Sequence, residues 1–206
     1  MIAIVDYGRG NLGSVRKALA ALAPEVVVTD EARTVARAQA LVVPGDGAFA
    51  DAMGSLERLG LVDPIRAHIA AGRPYLGICL GYQLLFTESE EFGHAKGLDI
   101  LPGVVRRFPP GLKVPHMGWN RLWHDGTLPL LAGIPAGAYF YFVHSYYPKP
   151  TDPDVVIGET DYGVNFASVI ARDNIVATQF HPEKSGEVGL RMYANFLKTA
   201  ATAGVH

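Results

Sequence analysis

One stretch in the middle of the chain constrains its fold more than any other. Residues 73–86 place a short apolar run directly before a helix-like run, and Gly77-Ile78-Cys79-Leu80-Gly81 lies between the two. This Gly-x-Cys-x-Gly spacing is that of a nucleophile elbow with cysteine in place of serine. Glycines on both sides allow a sharp strand-to-helix turn, and the residue between them is expected to adopt a strained conformation. The stretch therefore predicts a central strand that ends at Cys79.

Cys79 is the only cysteine of the chain, so an intrachain disulfide cannot explain it. A helix that begins directly after it would direct free N–H groups and its positive end at the sulfur, which favours the thiolate. The alternative is that Cys79 is a small buried apolar residue. The flanking glycines favour a catalytic nucleophile, provided that the fold supplies a base.

The first half of the chain alternates between strand-like and helix-like segments. Asn11 is expected to cap the first helix, whose apolar face would include Leu22, and Thr29 or Asp30 to cap the second. Because the strands are apolar on both faces, we predict an α/β fold with a central, mostly parallel sheet flanked by helices. The predicted strands are 2–5, 25–28, 40–43 and the run before Cys79, and the longer predicted helices begin at 12 and span 48–59 and 63–71, with Gly72 as a C-cap.

After about residue 93 the residue pattern changes, and the regular alternation of strand-like and helix-like segments ends. We predict added antiparallel strands here, because aromatic or alternating runs occur at 104–108 and 139–143 and a hairpin turn is expected at 172–174. An amphipathic helix is predicted from 186 to 199. With 206 residues and no repeat, linker or low-complexity tract, we predict a single domain over residues 1–206.

Composition excludes several kinds of partner. The net charge is −2 and no long run of like charges occurs, which argues against binding to nucleic acid or to a membrane surface. No apolar stretch is long enough to span a membrane, and no signal peptide is recognisable. A single cysteine and the absence of an export signal predict a cytoplasmic protein.

A glycine motif near the start admits two interpretations. Gly8-x-Gly10-x-x-Gly13 follows a strand, opens a helix and precedes Asp30 and Glu31 by about the distance of a dinucleotide-binding fingerprint. A binding domain for an NAD-type cofactor is therefore a minor hypothesis. The alternative is a tight turn in which the glycines serve packing, and we expect no cofactor.

The base for Cys79 is predicted from Gln179-Phe180-His181-Pro182-Glu183, which follows a strand-like run. His181 and Glu183 are two residues apart, so in an extended chain they point to the same side and Glu183 can reach the imidazole. Pro182 favours an extended backbone at His181. The alternative is an ordinary polar loop. No histidine pair has metal-ligand spacing with further support, so no metal site is expected.

The two motifs around Cys79 and His181 together closely resemble the class I, or triad, glutamine amidotransferase family, over nearly the whole chain. The resemblance implies a flavodoxin-like α/β fold and hydrolysis of glutamine. Cys79 would attack the carboxamide, His181 would transfer protons and Glu183 would orient His181. Backbone N–H groups of Leu80 and Gly47 would stabilise the oxyanion.

By the same resemblance, further residues are expected to hold the glutamine substrate. Glu91 would pair with the substrate ammonium, although a solvated charge in the acidic run 88–91 is an equal alternative. Asp46 stands where the family usually has an apolar residue, and we expect its carboxylate to face away from the oxyanion. The substrate-binding residues implied in this way are Gln83, Glu91, Ser145 and Tyr146.

Five further stretches resemble the members of this family that act within a heterodimer and feed ammonia to a (β/α)8-barrel cyclase subunit in histidine biosynthesis. These stretches are 6–12, 44–49, 114–120, 141–146 and 181–185. That cyclase forms imidazole glycerol phosphate and an aminoimidazole carboxamide ribotide. For Trp119 and Tyr141 the alternative to an interface is core packing. The docking surface implied by the resemblance comprises Asn11, His116, Met117, Trp119, Tyr141 and Lys184.

Three further expectations concern this function. The segment 44–47, which would carry the oxyanion donor at Gly47, is expected to be mispositioned in the free subunit and corrected by the liganded partner. The same glutaminase could instead serve another synthase, such as that of anthranilate or pyridoxal phosphate. A non-catalytic module with this fold is a third possibility, against which the intact Cys79, His181 and Glu183 argue.

Overall fold

The computed structural model describes residues 1–203, so residues 204–206 of the predicted domain, including His206, lie outside the described part. The strands are β1 Ile2–Val5, β2 Val26–Thr29, β3 Ala40–Val43, β4 Tyr75–Ile78, β5 Phe86–Ser89, β6 Ala95–Lys96, β7 Leu101–Arg107, β8 His116–His124, β9 Ala138–His144, β10 Tyr146–Pro150, β11 Val156–Asp161, β12 Asn165–Arg172 and β13 Ile175–Thr178. The helices are α1 Leu12–Ala20, α2 Ala32–Arg37, α3 Phe49–Arg58, α4 Val62–Ala70, α5 Leu80–Gln83 and α6 Gly186–Ala203. Short 3-10 turns lie at Pro129–Leu131, Pro153–Val155 and Pro182–Lys184.

Nine strands form one mixed sheet in the order β2-β1-β3-β4-β13-β12-β11-β8-β9. The first five strands of this order are parallel, and the pairs from β13 to β9 are antiparallel. The predicted parallel sheet with added antiparallel strands is therefore confirmed. A second sheet of four strands, β10-β7-β5-β6, was not predicted.

The central strands are buried on both faces, as their composition requires. Every residue of β1, β3 and β4 is buried. Successive residues enter different apolar cores: Ala3 and Val5 pack on one side of the sheet, and Ile2 and Ile4 on the other. Helices cover both faces, which is the arrangement expected of a parallel sheet.

The ends of the first two helices correct the sequence-based expectations. Asn11 caps α1 as predicted, since its Oδ1 accepts from the Ser14 N–H at 3.1 Å. Leu22, however, lies beyond the end of α1 and is exposed. The N-cap of α2 is Glu31 rather than Thr29 or Asp30, and the Thr29 hydroxyl accepts from the Glu31 N–H before the helix begins.

The helix that follows Cys79 is shorter than the apolar run suggests. It ends at Gln83, and Phe86 begins β5, where it pairs with Leu101 of the second sheet. Pairing with a distant strand thus prevails over local helix propensity. The helix dipole behind Cys79 is consequently limited to about one turn.

Within residues 1–203, the structure contains no helix that combines the length and the apolar character needed to span a bilayer.

The stability of the fold is expected to fall in acid because His68 is fully buried on α4. Burial lowers the pKa of His68 to about 4, so between pH 6.5 and 4 the unfolded chain binds a proton that the folded chain does not. This contribution is present above pH 6.5 and is lost as pH falls, by roughly 3 kcal/mol at the low end. Urea unfolding of His68→Gln, which retains a donor for the Pro74 carbonyl, should show a flatter pH dependence than the wild type. Parallel profiles for the two proteins would contradict this origin.

Candidate active site

Cys79 occupies a strained turn at the end of β4. Its φ of 53° and ψ of −105° place a non-glycine residue in a region that side chains rarely adopt, as the elbow motif predicts. Its N–H donates to the Thr178 carbonyl at 2.8 Å, which anchors the turn to β13. A Cβ on Gly81 would collide with the Val43 carbonyl, so only glycine lets α5 pass this close to β3.

His181 and Glu183 form the predicted pair. The His181 Nδ1 and Glu183 Oε1 atoms are 2.7 Å apart, and the carboxylate side chain is only 2% exposed. The backbone that brings Glu183 to His181 differs from the expectation, because Glu183 lies in the 3-10 turn Pro182–Lys184 and not in extended chain. His181 itself is extended before Pro182, as predicted.

Tyr193 on α6 completes the support of this pair, and sequence reasoning missed it. Its hydroxyl donates to Glu183 Oε2 at 3.2 Å. The His181 main chain is held as well, since its N–H donates to the Tyr141 carbonyl at 2.9 Å and its carbonyl accepts from the Ser185 hydroxyl. The only available signal for Tyr193 was a phenol on the buried face of the last helix.

The electrostatics of His181 favour the imidazolium form. Burial acts to lower its pKa, but the negative charges of Cys79 and Glu183, together with hydrogen bonding, outweigh burial and raise the pKa to about 10. Its Nε2 has no partner of good hydrogen-bond geometry among residues 1–203. An imidazolium whose free nitrogen lies near the Cys79 sulfur stabilises a thiolate there.

A cleft of about 480 Å³ brings the predicted site residues together. Glu183 is the exception among the predicted catalytic groups, since it supports His181 from outside the lining. Met117, Trp119 and Tyr141 also lie outside the lining. The lining includes Asn11, Asp46, Gly47, Cys79, Leu80, Gln83, Glu91, Ser145, Tyr146, His181 and Lys184.

The expected oxyanion donors are not both available in this arrangement. The Leu80 N–H points to the Gly45 carbonyl at a long 3.5 Å, and Gly47, with φ of +86°, lines the cleft. The segment is tied in place by the Tyr7 hydroxyl, which donates to the Pro44 carbonyl at 2.7 Å. The Gly45 carbonyl is therefore the partner of the Leu80 N–H, which was expected to be an oxyanion donor.

The unusual Asp46 is engaged by the loop between β1 and α1. Its Oδ1 accepts from the Gly10 N–H at 3.0 Å, so the carboxylate is directed to that loop. Gly10 also approaches the segment closely: a Cβ there would lie 3.1 Å from the Gly45 Cα. This contact supports the packing explanation of the Gly8-x-Gly10-x-x-Gly13 motif.

The predicted substrate residues have partners within the chain. Gln83 Nε2 donates to the Tyr146 carbonyl at 3.0 Å. Glu91 Oε2 accepts from the Phe49 N–H at 2.7 Å, at the start of α3. The Glu91 carboxylate is thus fixed at the cleft by a helix end, and is not a freely solvated charge.

The strand pair β8–β9 exposes part of the predicted docking surface. Met117 is 62% and Trp119 57% exposed, so the core-packing alternative does not hold for Trp119. Trp119 contacts the Tyr141 ring edge to face, and the Lys184 ammonium lies 5.7 Å from the centre of that ring. His116 differs from the expectation: it is only 3% exposed and does not present its ring on this surface.

His116 instead belongs to a buried row of hydrogen bonds that leads to the cleft. Asn120 donates to His116 Nε2 at 3.2 Å, His116 Nδ1 lies 2.9 Å from His144 Nε2, and His144 Nδ1 lies 2.8 Å from the Tyr146 carbonyl. Because a carbonyl can only accept, each Nδ1 must donate and each Nε2 must accept. Burial lowers the pKa of His116 to about 4 and of His144 to about 3, which keeps both rings neutral near pH 7.

Across residues 1–203, the structure brings together no group of three or more His, Cys, Asp or Glu side chains that could hold a metal ion.

Comparison with solved structures identifies the fold. A structure described as a crystal structure of glutamine amidotransferase matches with a TM-score of 0.75 and 20% identity, covering 98% of this chain and 100% of that chain. The glutaminase domain of Trypanosoma brucei CTPS with bound acivicin matches with a TM-score of 0.70 and 16% identity, covering 98% of this chain and 93% of that chain.

Comparison of sequences identifies the family. The model of glutamine amidotransferase class-I matches residues 3–200. The imidazole glycerol phosphate synthase subunit HisH of Syntrophotalea carbinolica is 53% identical over 203 residues, which cover 95% of this chain and 98% of the relative. The subunit HisH of Aquifex aeolicus is 53% identical over 198 residues, covering 96% of each. The chain therefore belongs to the class-I glutamine amidotransferase family, among the HisH subunits of imidazole glycerol phosphate synthase.

Proposed function

We propose that the chain hydrolyses glutamine to glutamate and ammonia, with Cys79 as the nucleophile. The observation that carries this proposal is the strained Cys79 turn, which shares one cleft with His181, while the buried Glu183 holds His181 from behind. A reactive thiolate needs a nearby cation, and a base needs a fixed orientation. His181 meets the first condition, and its contact with Glu183 meets the second.

The reaction follows from these groups. The Cys79 thiolate attacks the carboxamide carbon of glutamine, and the tetrahedral intermediate collapses when His181 gives its proton to the departing nitrogen, which leaves as ammonia. The product is a γ-glutamyl thioester on Cys79. His181, now neutral, takes a proton from water, which attacks the thioester carbonyl and releases glutamate and the thiolate. Glu183 and Tyr193 hold His181 in orientation throughout.

For the substrate we propose the residues that line the cleft with Cys79. Glu91 would pair with the ammonium of glutamine, since its carboxylate is fixed there by the Phe49 N–H. Gln83 has its amide nitrogen engaged by the chain, which leaves its oxygen for a donor on the substrate. Ser145 and Tyr146 also line this cleft.

The ammonia would pass to a cyclase subunit. The curated relatives are named as subunits of imidazole glycerol phosphate synthase, which supports a partner that forms imidazole glycerol phosphate and an aminoimidazole carboxamide ribotide. We propose a heterodimer with a (β/α)8-barrel cyclase, docked on the face that carries Met117, Trp119 and Tyr141, with Asn11 and Lys184 at the cleft. Because its one cysteine must stay reduced to act, we place the reaction in the cytoplasm.

We further propose that the segment 44–47 is inactive in this arrangement and rearranges when the liganded cyclase docks. The Leu80 N–H is directed to the Gly45 carbonyl, and a peptide rotation would free it for the oxyanion. Asn11, which we propose for the docking surface, lines the cleft and follows Gly10, whose N–H donates to Asp46 of this segment. The change would be a population shift between two backbone arrangements.

The function is tested by glutamate release from glutamine. The purified chain alone should release almost no glutamate, and adding a histidine-pathway cyclase with its ribotide ligand should raise the rate of glutamate release strongly. Equal turnover in both conditions would leave the glutaminase but contradict activation by the partner. Activation by an anthranilate or pyridoxal phosphate synthase component, and not by the cyclase, would contradict the proposed pathway.

The role of Asp46 gives a second prediction. Asp46→Val removes the acceptor of the Gly10 N–H and should loosen the inactive arrangement, since one hydrogen bond contributes roughly 0.5–1.5 kcal/mol. Glutamate release by the free chain should then rise about 2- to 10-fold. Asp46→Asn is the matched control, because it keeps an acceptor and removes only the charge. No rise in Asp46→Val, or an equal rise in Asp46→Asn, would show that this hydrogen bond does not restrain the segment.

A further inference from the structure

Gln179 lies in contact with the proposed nucleophile, and the function proposed above gives it no role. It follows β13 and precedes His181 by two residues, and it is 0% exposed. Its Nε2 lies 3.6 Å from the Cys79 sulfur, within hydrogen-bond distance for sulfur. Its Oε1 accepts from Gln83 Nε2 at 3.1 Å. Both ends of this buried amide are therefore engaged.

The orientation of the Gln179 amide is determined by its neighbours. The Tyr146 carbonyl can only accept, so the Gln83 atom that lies 3.0 Å from it must be the amide nitrogen. The same nitrogen faces Gln179 at 3.1 Å, which requires the Gln179 oxygen there and the Gln179 nitrogen at the sulfur. The reverse orientation would set two nitrogen donors against each other and an oxygen lone pair against the sulfur.

A thiolate at Cys79 would require a hydrogen-bond donor in addition to the helix that follows it. The helix after Cys79 has only the residues Leu80–Gln83, so its dipole supplies a small part of the stabilisation of a thiolate. A hydrogen bond to an ionised group is roughly twice as strong as a neutral one, and more so in a buried site. The Gln179 N–H thus approaches the sulfur as a hydrogen-bond donor with a partial positive charge, in addition to the charged His181.

We propose that Gln179 is a catalytic residue of this site: its side-chain N–H hydrogen bonds to the Cys79 sulfur and stabilises the thiolate before attack and again when the thioester is hydrolysed. Gln83 and Tyr146 hold the amide in the orientation that this requires. The assignment of Gln179 to glutamine hydrolysis rests on the proposed function, whereas its effect on the sulfur does not.

The test uses alkylation of the single cysteine by iodoacetamide across pH, which reports only Cys79 and needs neither substrate nor partner. Gln179→Met keeps the length of the side chain and removes the donor. Gln179→Glu keeps the shape and the acceptor for Gln83, but places a carboxylate at the sulfur. Below the pH at which the wild-type rate levels off, Gln179→Met should react about 10-fold more slowly and Gln179→Glu more slowly still.

A packing role predicts a different order. Glutamate has nearly the shape of glutamine, so Gln179→Glu would then behave as the wild type. That result, or pH profiles that superpose for all three proteins, would overturn the proposal. Asn195→Leu is the control for the loss of a buried amide, because Asn195 on α6 donates to the Leu130 and Ala132 carbonyls at the 3-10 turn Pro129–Leu131, away from the cleft. Its alkylation profile should match the wild type.

Glutamate release in the presence of the cyclase completes the test. Gln179→Met should lower kcat about 10-fold with little change in KM, because the lost bond is to the sulfur and not to the substrate. A change confined to KM would overturn the catalytic assignment. If the wild type releases no glutamate while the alkylation profiles still differ, the proposed function fails and the contact with the sulfur stands.

Discussion

The site depends on the parallel pairing of three neighbouring strands, β3, β4 and β13. In the register of the sheet, Gly77 of β4 lies beside Val43 on one side and Ala177 on the other. The three strands therefore end at one edge. There the chain continues into the segment 44–47, Cys79 and the segment 179–183. Residues about a hundred positions apart meet in one cleft because backbone hydrogen bonds align their strands, as in other α/β folds that bind ligands at the carboxyl ends of strands.

This alignment brings Cys79, α5 and the segment 44–47 into close contact at the ends of the strands. The strained backbone of Cys79 persists because its N–H is bonded to Thr178 and because Gly81 lets α5 pass against β3. The same proximity brings the Gly45 carbonyl to the Leu80 N–H. The packing of α5 against β3 thus supports the strained Cys79 turn, and the neighbouring Gly45 carbonyl engages the Leu80 N–H that we propose for the oxyanion. For this reason we connect activation with a movement of the segment 44–47.

Features formed by residues close together in the chain could be predicted from the sequence, and contacts between distant segments could not. The elbow around Cys79 and the His181–Glu183 pair each span only a few positions of the chain, so both could be predicted, although Glu183 reaches His181 from a 3-10 turn and not from the extended chain that was expected. Gln179 and Tyr193 act through contacts between distant segments, which no spacing in the chain reveals. The second sheet was missed for the same reason. His116 was expected on the surface but is covered by stacking with neighbouring aromatic rings.

The central claim is that Cys79 carries the glutamyl group during turnover. Its most direct test is mass spectrometry of the chain, quenched in acid while it turns over glutamine with the liganded cyclase. The account predicts a γ-glutamyl thioester on the peptide that contains Cys79, and neither adduct nor glutamate release for Cys79→Ala. Glutamate release by Cys79→Ala at the wild-type rate, or turnover of the wild type with the glutamyl group on another residue, would contradict it.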